Sequence, residues 1–323
     1  MAREVVAIGR INVDIIMQVD RIPAKNEHVT SEQGLISFGG SASNFAAQIA
    51  KLGVGTGIVG CVGDDFYGQQ ALKDLSSAGV DISSVLVLDN QPTGIFFLAE
   101  QRNGDRVVVS EPGANRFIEK HVLDEEALVK STLVHLAGAF PMMASRVQEI
   151  STANGMIFSF DPGRAAGSLD FKPILRRTDL LFLNQGELRN YFDVNPNEKA
   201  LKAFAKTIPG IVIVKKGVKG AVATDGFEYC SSRVFDVPAV DTLGAGDAFA
   251  AGFITAWTRS ERIEQALHVG NAVAALTITK KGAQMGQPTM DETARLLKKN
   301  GVSIESILRT FKTGKRRKGK GRR

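Results

Sequence analysis

The chain has 323 residues, 44% of them hydrophobic, enough to bury a full α/β core in one large domain or two modest ones. Its net charge of +6 is an end effect: residues 312–323 carry eight Lys or Arg and no acid, leaving 32 basic against 34 acidic side chains, or −2, in the body. That balance excludes a basic nucleic-acid-binding body, two cysteines exclude a disulfide scaffold or thiolate metal cluster, and no apolar run reaches the ~18 residues of a membrane span. No charged-then-apolar leader follows Met1 and no Asn-x-Ser/Thr sequon occurs, so a reducing cytoplasm is the expected compartment.

Residues 5–8 form a short apolar run closing at Gly9, the pattern of a buried first strand. They open onto Arg10-Ile-Asn-Val-Asp14, where Asn12 and Asp14 alternate with apolar residues and so share one strand face. An amide and a carboxylate placed that way can hold vicinal hydroxyls. After an extended run over 29–38, Gly39-Gly40 precedes a helix whose apolar side is Phe45, Ile49 and Leu52, with Asn44 in its first turn and Gly53 as its stop. Residues 57–62 read as the next buried strand, 65–78 as a helix and 85–88 as a strand. The β-rich runs 94–100 and 106–110 flank Asn103-Gly104, a strong hairpin signal. With residues 13–19 and 29–37 they predict a small inserted sheet, the form of a lid that closes on a substrate and excludes water, with Phe97 and Gln101 among the residues that would discriminate between ligands.

From residue 133 the rhythm is strand and helix in alternation, with strands at 133–136, 157–160, 179–183, 211–214 and 221–224. Continuous apolar strands between helices predict a parallel sheet covered on both faces, with the active site at the carboxyl ends of the strands. Three polar strings follow those ends: Asp161-Pro-Gly-Arg164, Asn184-Gln-Gly-Glu187 and Lys215-Lys-Gly217-Val-Lys-Gly220. A carboxylate such as Glu187 just past a strand can hold Mg²⁺ through waters.

The stretch Asp241-Thr-Leu-Gly-Ala-Gly-Asp-Ala-Phe249 runs straight into an apolar helix, so Gly244, Ala245 and Gly246 are expected in its first turn. Unpaired N–H groups and the positive end of the helix dipole make such a turn an anion site. Asp247 stands in the same turn, and its task would be to take a proton from a hydroxyl attacking a phosphoryl group; the plain alternative is a tight turn followed by an ordinary first-turn acid. A further helix over 263–279 contains Asn271 and ends at Lys281-Gly282-Ala283. The four histidines have no metal spacing, and no P-loop, dinucleotide fingerprint or hydrolase motif occurs.

These strings, in this order over about residues 4–290, resemble those of the ribokinase-like (PfkB) sugar and nucleoside kinases. Residues 241–249 resemble the family's DTxGAGDxF with Leu243 at the variable place, residues 39–53 its GGxxxNxAxxxAxLG, and residues 63–68 its GxDxxG. The resemblance implies an α/β fold, a three-layer α/β/α sandwich with a mostly parallel central sheet and an inserted β lid. The kinase domain would span 1–311, with the lid at about 10–38 and 93–112, followed by a disordered basic tail at 312–323. It implies transfer of a phosphoryl group from ATP, or alternatively ADP, to a hydroxyl of a small sugar or nucleoside, with Mg²⁺. Ribose-like substrates are favoured over fructose or other polyols.

Residue by residue, the resemblance puts Asn12, Asp14, Gly40 and Asn44 on the substrate, Asp247 as the base, and the amides of Gly244, Ala245 and Gly246 on the transferring group. Asn184 and Glu187 would orient Mg²⁺, and Lys215, Gly217, Gly220 and Asn271 would meet the nucleotide, although Asn271 reads equally well as a helix-packing amide. The backbone around Asp241 and the Gly282-Ala283 loop would hold a monovalent cation such as K⁺. Two departures stand out: Gly163 replaces the asparagine region of an Asp-x-Asn-x-Arg string, leaving Arg164 alone as a phosphate or acid contact, and Gln284-Met-Gly-Gln-Pro288, beside the expected K⁺ site, is bulkier than the family's usual loop. A homodimer through the lid is expected. A regulatory protein on an inactive scaffold would need a broken base or anion hole, and a nucleic-acid role would rest on the tail alone.

Overall fold

Short apolar runs bounded by glycine, asparagine or charged residues become the central sheet in a computed structural model, which describes residues 4–101, 105–121, 123–163, 169–260 and 262–313. β1 (Val5–Gly9), β2 (Asn12–Gln18) and β3 (Gln33–Gly39) lead to α1 (Ser41–Lys51), β4 (Thr56–Gly63), α2 (Phe66–Ser77), β5 (Val80–Leu88), β6 (Gly94–Glu100) and β7 (Arg106–Glu111). A 3-10 helix (Gly113–Lys120) and α3 (Glu125–Leu128) connect to β8 (Leu133–Ala137), α4 (Pro141–Ala153), β9 (Ile157–Asp161), α5 (Phe171–Leu175), β10 (Leu180–Asn184) and α6 (Gln185–Phe192). Then come α7 (Glu198–Ala205), β11 (Ile211–Lys215), β12 (Ala221–Thr224), β13 (Tyr229–Ser232), α8 (Ala245–Ser260), α9 (Ile263–Thr277), α10 (Met290–Lys299) and α11 (Glu305–Thr313).

The nine-stranded sheet has the order β13-β12-β11-β10-β9-β8-β1-β4-β5. Pairing is parallel from β5 to β11, and β12 and β13 close one edge antiparallel. Every residue of β1, β4 and β8 is buried, as continuous apolar strands covered on both faces should be. Period-2 alternation splits the core: Val5 and Ala7 pack with α1, α2, α8 and α9, whereas Val6 and Ile8 pack with α4 to α7. The chain leaves β1 outward to β4 and β5 and returns on the other side as β8, so a crevice opens where β1 and β8 diverge.

β2, β3, β6 and β7 form a separate sheet in the order β3-β2-β6-β7, parallel only between β2 and β6. This is the inserted sheet expected from the sequence; the turn at Asn103-Gly104 lies outside the described residues. The tail needs a correction at its start. Helix α11 continues to Thr313, past the expected boundary, because Ile307 is buried against the core and the Arg259 guanidinium lies 4.1 Å over the Phe311 ring. The remainder of the tail falls outside the described residues. His135 is a core histidine: it stacks on Phe45 at 4.0 Å, its Nδ1 meets Ser159 Oγ at 2.8 Å, and burial pushes its pKa down to about 4. Cys61 and Cys230 are buried free thiols.

Candidate active site

Helix α8 starts one residue later than expected. Gly244 has φ 75°, and a Cβ there would stand 2.8 Å from the Ala283 carbonyl oxygen, so only glycine fits this turn. The Ala245 N–H bonds Thr242 O at 3.3 Å, closing the turn that leads into the helix. Gly246 and Asp247 occupy the second and third helical positions, whose N–H groups have no intrahelical acceptor. At Gly246 a Cβ would come within 3.4 Å of Lys215 Nζ, so the ammonium of the β11 end lies beside the start of α8.

Lys215 also pairs with Asp161, at the end of β9, across 2.5 Å. Burial pulls the Lys215 pKa down, but Asp161, Glu187 and Asp247 outweigh it and hold the ammonium above its ordinary value. Asp161 was visible in the sequence only as the first letter of a turn. Arg164, the candidate in that same string, lies outside the described residues.

On the other side of Asp247, Asn44 Nδ2 donates to Asp247 Oδ2 at 2.9 Å. The direction of that amide is set from behind: Gln284 Nε2 donates to Asn44 Oδ1 at 3.2 Å and to Ser43 Oγ at 3.0 Å, and Gln287 Nε2 donates to the Asn44 carbonyl at 2.7 Å. The bulkier loop after Ala283 is therefore packed on α1 as a bracket for Asn44. Asp14 is 3% exposed, and a Cβ on Gly39 would lie 2.0 Å from its Oδ2, so the carboxylate rests against that glycine. Gly40, at φ 93°, is fitted against Arg10 O, which a Cβ would approach to 2.4 Å. Asn12 Oδ1 accepts from Asn115 Nδ2 at 2.9 Å, and Asn115 also bonds Ile11 O and Ile11 N at 3.0 and 3.1 Å. Asn115, a buried amide in the 3-10 helix, fixes the β1–β2 connection and escaped the sequence reading.

Two acids share this enclosure. Burial pushes the Asp247 pKa up to about 7; the Asn44 bond opposes the rise, Asp161 adds to it, and Lys215 and the Ser41 hydroxyl oppose it. Burial likewise raises Asp14 to about 7, followed by the charges of Asp247 and Asp241. A raised carboxyl group such as Asp247, in a helix start beside a lysine, suits acid–base chemistry near neutral pH.

The remaining candidates lie farther along the sheet. Asn184 caps α6, accepting from Glu187 N at 2.8 Å, and Glu187 Oε2 accepts from Asn184 N at 2.8 Å, a reciprocal capping box. Gly217 and Gly220 turn the β11–β12 loop at φ 57° and 82°. Asn271 Nδ2 donates to Ser232 O at 3.0 Å and Arg233 O at 3.2 Å, tying α9 to the edge strand as a packing amide would. Asp241 accepts from Leu243 N at 2.9 Å and Gly282 N at 2.8 Å, drawing the 282–288 loop onto the α8 start. Among the described residues no group of three or more His, Cys, Asp or Glu could hold a metal ion. A donor set of one carboxylate, waters and ligand phosphates suits Mg²⁺, which sheds its hydration reluctantly.

The structure thus gathers Asp14, Asn44 and Asp247 at one end of the crevice and Asp161, Glu187, Lys215 and Gly246 beside them, with Gly217, Gly220 and Asn271 toward the antiparallel edge. Known proteins share the fold that carries these residues. The ATP-dependent ribose-1-phosphate kinase of Halopiger xanaduensis is 37% identical over 294 residues, covering 91% of this chain and 97% of that one. The nucleoside kinase of Methanothermobacter thermautotrophicus is 27% identical, covering 91% and 95%. The structure of Arabidopsis thaliana ribokinase complexed with ribose and ATP superposes with a TM-score of 0.84 at 28% identity, covering 92% of this chain and 99% of that one. The family model of the pfkB carbohydrate kinases matches residues 2–290, and the chain, with its ribokinase-like fold, belongs to that family of sugar and nucleoside kinases.

Proposed function

We propose that the chain transfers the γ-phosphoryl group of ATP to a hydroxyl of a ribose-like sugar, with Asp247 as the base. The observation that carries this reading is the position of Asp247: its carboxylate is hydrogen-bonded to Asn44 of α1 while its own helical turn begins beside Lys215. The substrate oxygen forms the new bond to the γ-phosphorus, the bond to the β–γ bridging oxygen breaks, ADP leaves, and the hydroxyl proton passes to Asp247. Gly244 and Ala245 shape the turn, Gly246 and Asp247 offer amides to the transferring oxygens, and Lys215 adds a positive charge there. Loss of one such donor typically costs about 10²–10³ in rate.

Asp14 and Asn12 would hold sugar hydroxyls, with Gly40 and Asn44 completing that wall. Mg²⁺, when bound, would neutralise the β- and γ-phosphate oxygens. Glu187 would hold it through water, with Asn184 fixing the backbone at that point. Gly217, Gly220 and Asn271 would line the purine end, and the Asp241 backbone with Gly282-Ala283 would take K⁺. The sheet of the lid leaves Ile36, Val107, Val108 and Val109 exposed, a surface suited to pairing with the lid of a second copy.

The test is a coupled phosphotransfer screen of pentoses, hexoses and nucleosides with ATP or ADP, with and without K⁺. Turnover of a ribose-like acceptor with ATP and Mg²⁺ is the expected result. Turnover confined to hexoses would overturn the substrate assignment.

A further inference from the structure

Arg10 follows β1 directly, at the mouth of the crevice between β1 and β8, two residues before Asn12. Its carbonyl is held under the start of α1, where Ser43 N donates to it at 3.4 Å. Its guanidinium lies over the Phe140 ring, 5.2 Å from the centroid, at the start of α4. The side chain is half-buried, and burial lowers its pKa with no carboxylate acting in the other direction. Arg21, Arg116, Arg259 and Arg309 each pair with a glutamate, whereas no acid among the described residues pairs with Arg10. Glu119, which reaches the start of α4, accepts from the Met143 N–H at 2.9 Å. The loop Gly138-Ala139-Phe140 contributes no acid either.

A guanidinium stays charged at any physiological pH, and withdrawing it from water with no anion opposite is costly. Its fork of donors matches phosphate oxygens two at a time. A sugar whose middle hydroxyls met Asp14 and whose reacting hydroxyl met Asp247 would have its far end free to turn toward the carboxyl ends of β1 and β8, where Arg10 and Phe140 follow. We propose that Arg10 anchors a phosphate already carried by the sugar, so that the preferred acceptor is a pentose phosphate of the ribose 1-phosphate type rather than a neutral pentose. This rests on the kinase reading above. Transfer to the free primary hydroxyl then yields a sugar bisphosphate and ADP, with the proton taken by Asp247.

The experiment compares kcat/KM for ribose 1-phosphate and for ribose, with ATP and Mg²⁺, in the wild type, Arg10→Met and Arg10→Lys. The wild type should prefer ribose 1-phosphate. In Arg10→Met the ratio of the two values should fall by about 10–100-fold, the size of a lost charge-assisted contact, and Arg10→Lys should restore part of it. A ratio that stays within about threefold, or a wild type that prefers ribose, overturns the assignment while leaving the kinase reading in place. Equal losses on both substrates, the signature of a packing role on Phe140, overturn it as well. If the wild type phosphorylates neither sugar, the ribose-like reading and this inference fail together.

Discussion

Replacing Asp247 by Asn removes one proton acceptor at nearly constant shape, and the structure sets the sign of two separate consequences. The first is kinetic: without a base in the α8 turn, kcat should fall by about 10³, within the range of general-base contributions, while KM for the sugar changes little because Asn12, Asp14 and Asn44 remain. The second is thermodynamic. With its pKa raised from 3.8 to about 7, Asp247 binds a proton more tightly folded than unfolded, so its contribution to stability falls as pH rises from about 4 to 7 and stays low above that. Three units at ~1.4 kcal/mol each put the cost above pH 7 at about 4 kcal/mol, a ceiling because water reaches part of the side chain. The amide escapes this cost and also relieves Asp14, whose second-largest perturbation is the Asp247 charge. Steady-state kinetics, together with urea unfolding at pH 8 and pH 4, should give an inactive variant that is more stable than wild type at pH 8, with most of that gain gone at pH 4. A kcat within tenfold of wild type would refute the assignment of the base, and a variant less stable at pH 8 would refute the electrostatic reasoning.

Lys215→Met leaves Asp161 unpaired in a largely covered site and strips a charge from the transferring group; kcat/KM for ATP should fall about 10²–10³-fold and stability by about 2 kcal/mol, measured by kinetics and thermal unfolding. Gln284→Ala releases the Asn44 amide to rotate, so kcat should drop roughly tenfold with a smaller change in the KM for ATP. Gln284→Glu, which can only accept, should turn the Asn44 amide around and lower kcat further, and a kcat equal to wild type in both variants would remove Gln284 from the site. Gly39→Ala forces a methyl onto the Asp14 carboxylate; the KM for the sugar should rise more than tenfold and stability fall by about 1–3 kcal/mol, and a wild-type KM would contradict the placement of Asp14.

Much of this architecture was legible before any coordinates. The buried strands of the main sheet announce themselves as short apolar runs, and the glycine strings at 39–40 and 244–246 mark places where backbone must approach a side chain or another loop. What escaped reading was long-range and polar. Asn115 is one amide in a 3-10 helix without periodicity, and its partners Ile11 and Asn12 are over 100 residues away in sequence. The Asp161–Lys215 pair joins the ends of strands two places apart in the sheet, a closeness that only strand order reveals. Asn184 and Glu187 could be found by their spacing, yet that spacing serves a helix cap as well as a metal site, and the structure engages both residues in the cap. The edge strand β13 and helices α10 and α11 are amphipathic or half-exposed, so their assignment depends on what they pack against.

The pH dependence of kcat/KM for the sugar in the wild type, at saturating ATP and Mg²⁺ between pH 5.5 and 8.5, tests the role of Asp247 most directly. If a raised carboxyl must lose its proton before it can accept one, activity falls on the acid side with unit slope and an apparent pKa near 7, a value that belongs to the coupled Asp14–Asp247 pair. A profile that stays flat down to pH 5.5 contradicts it.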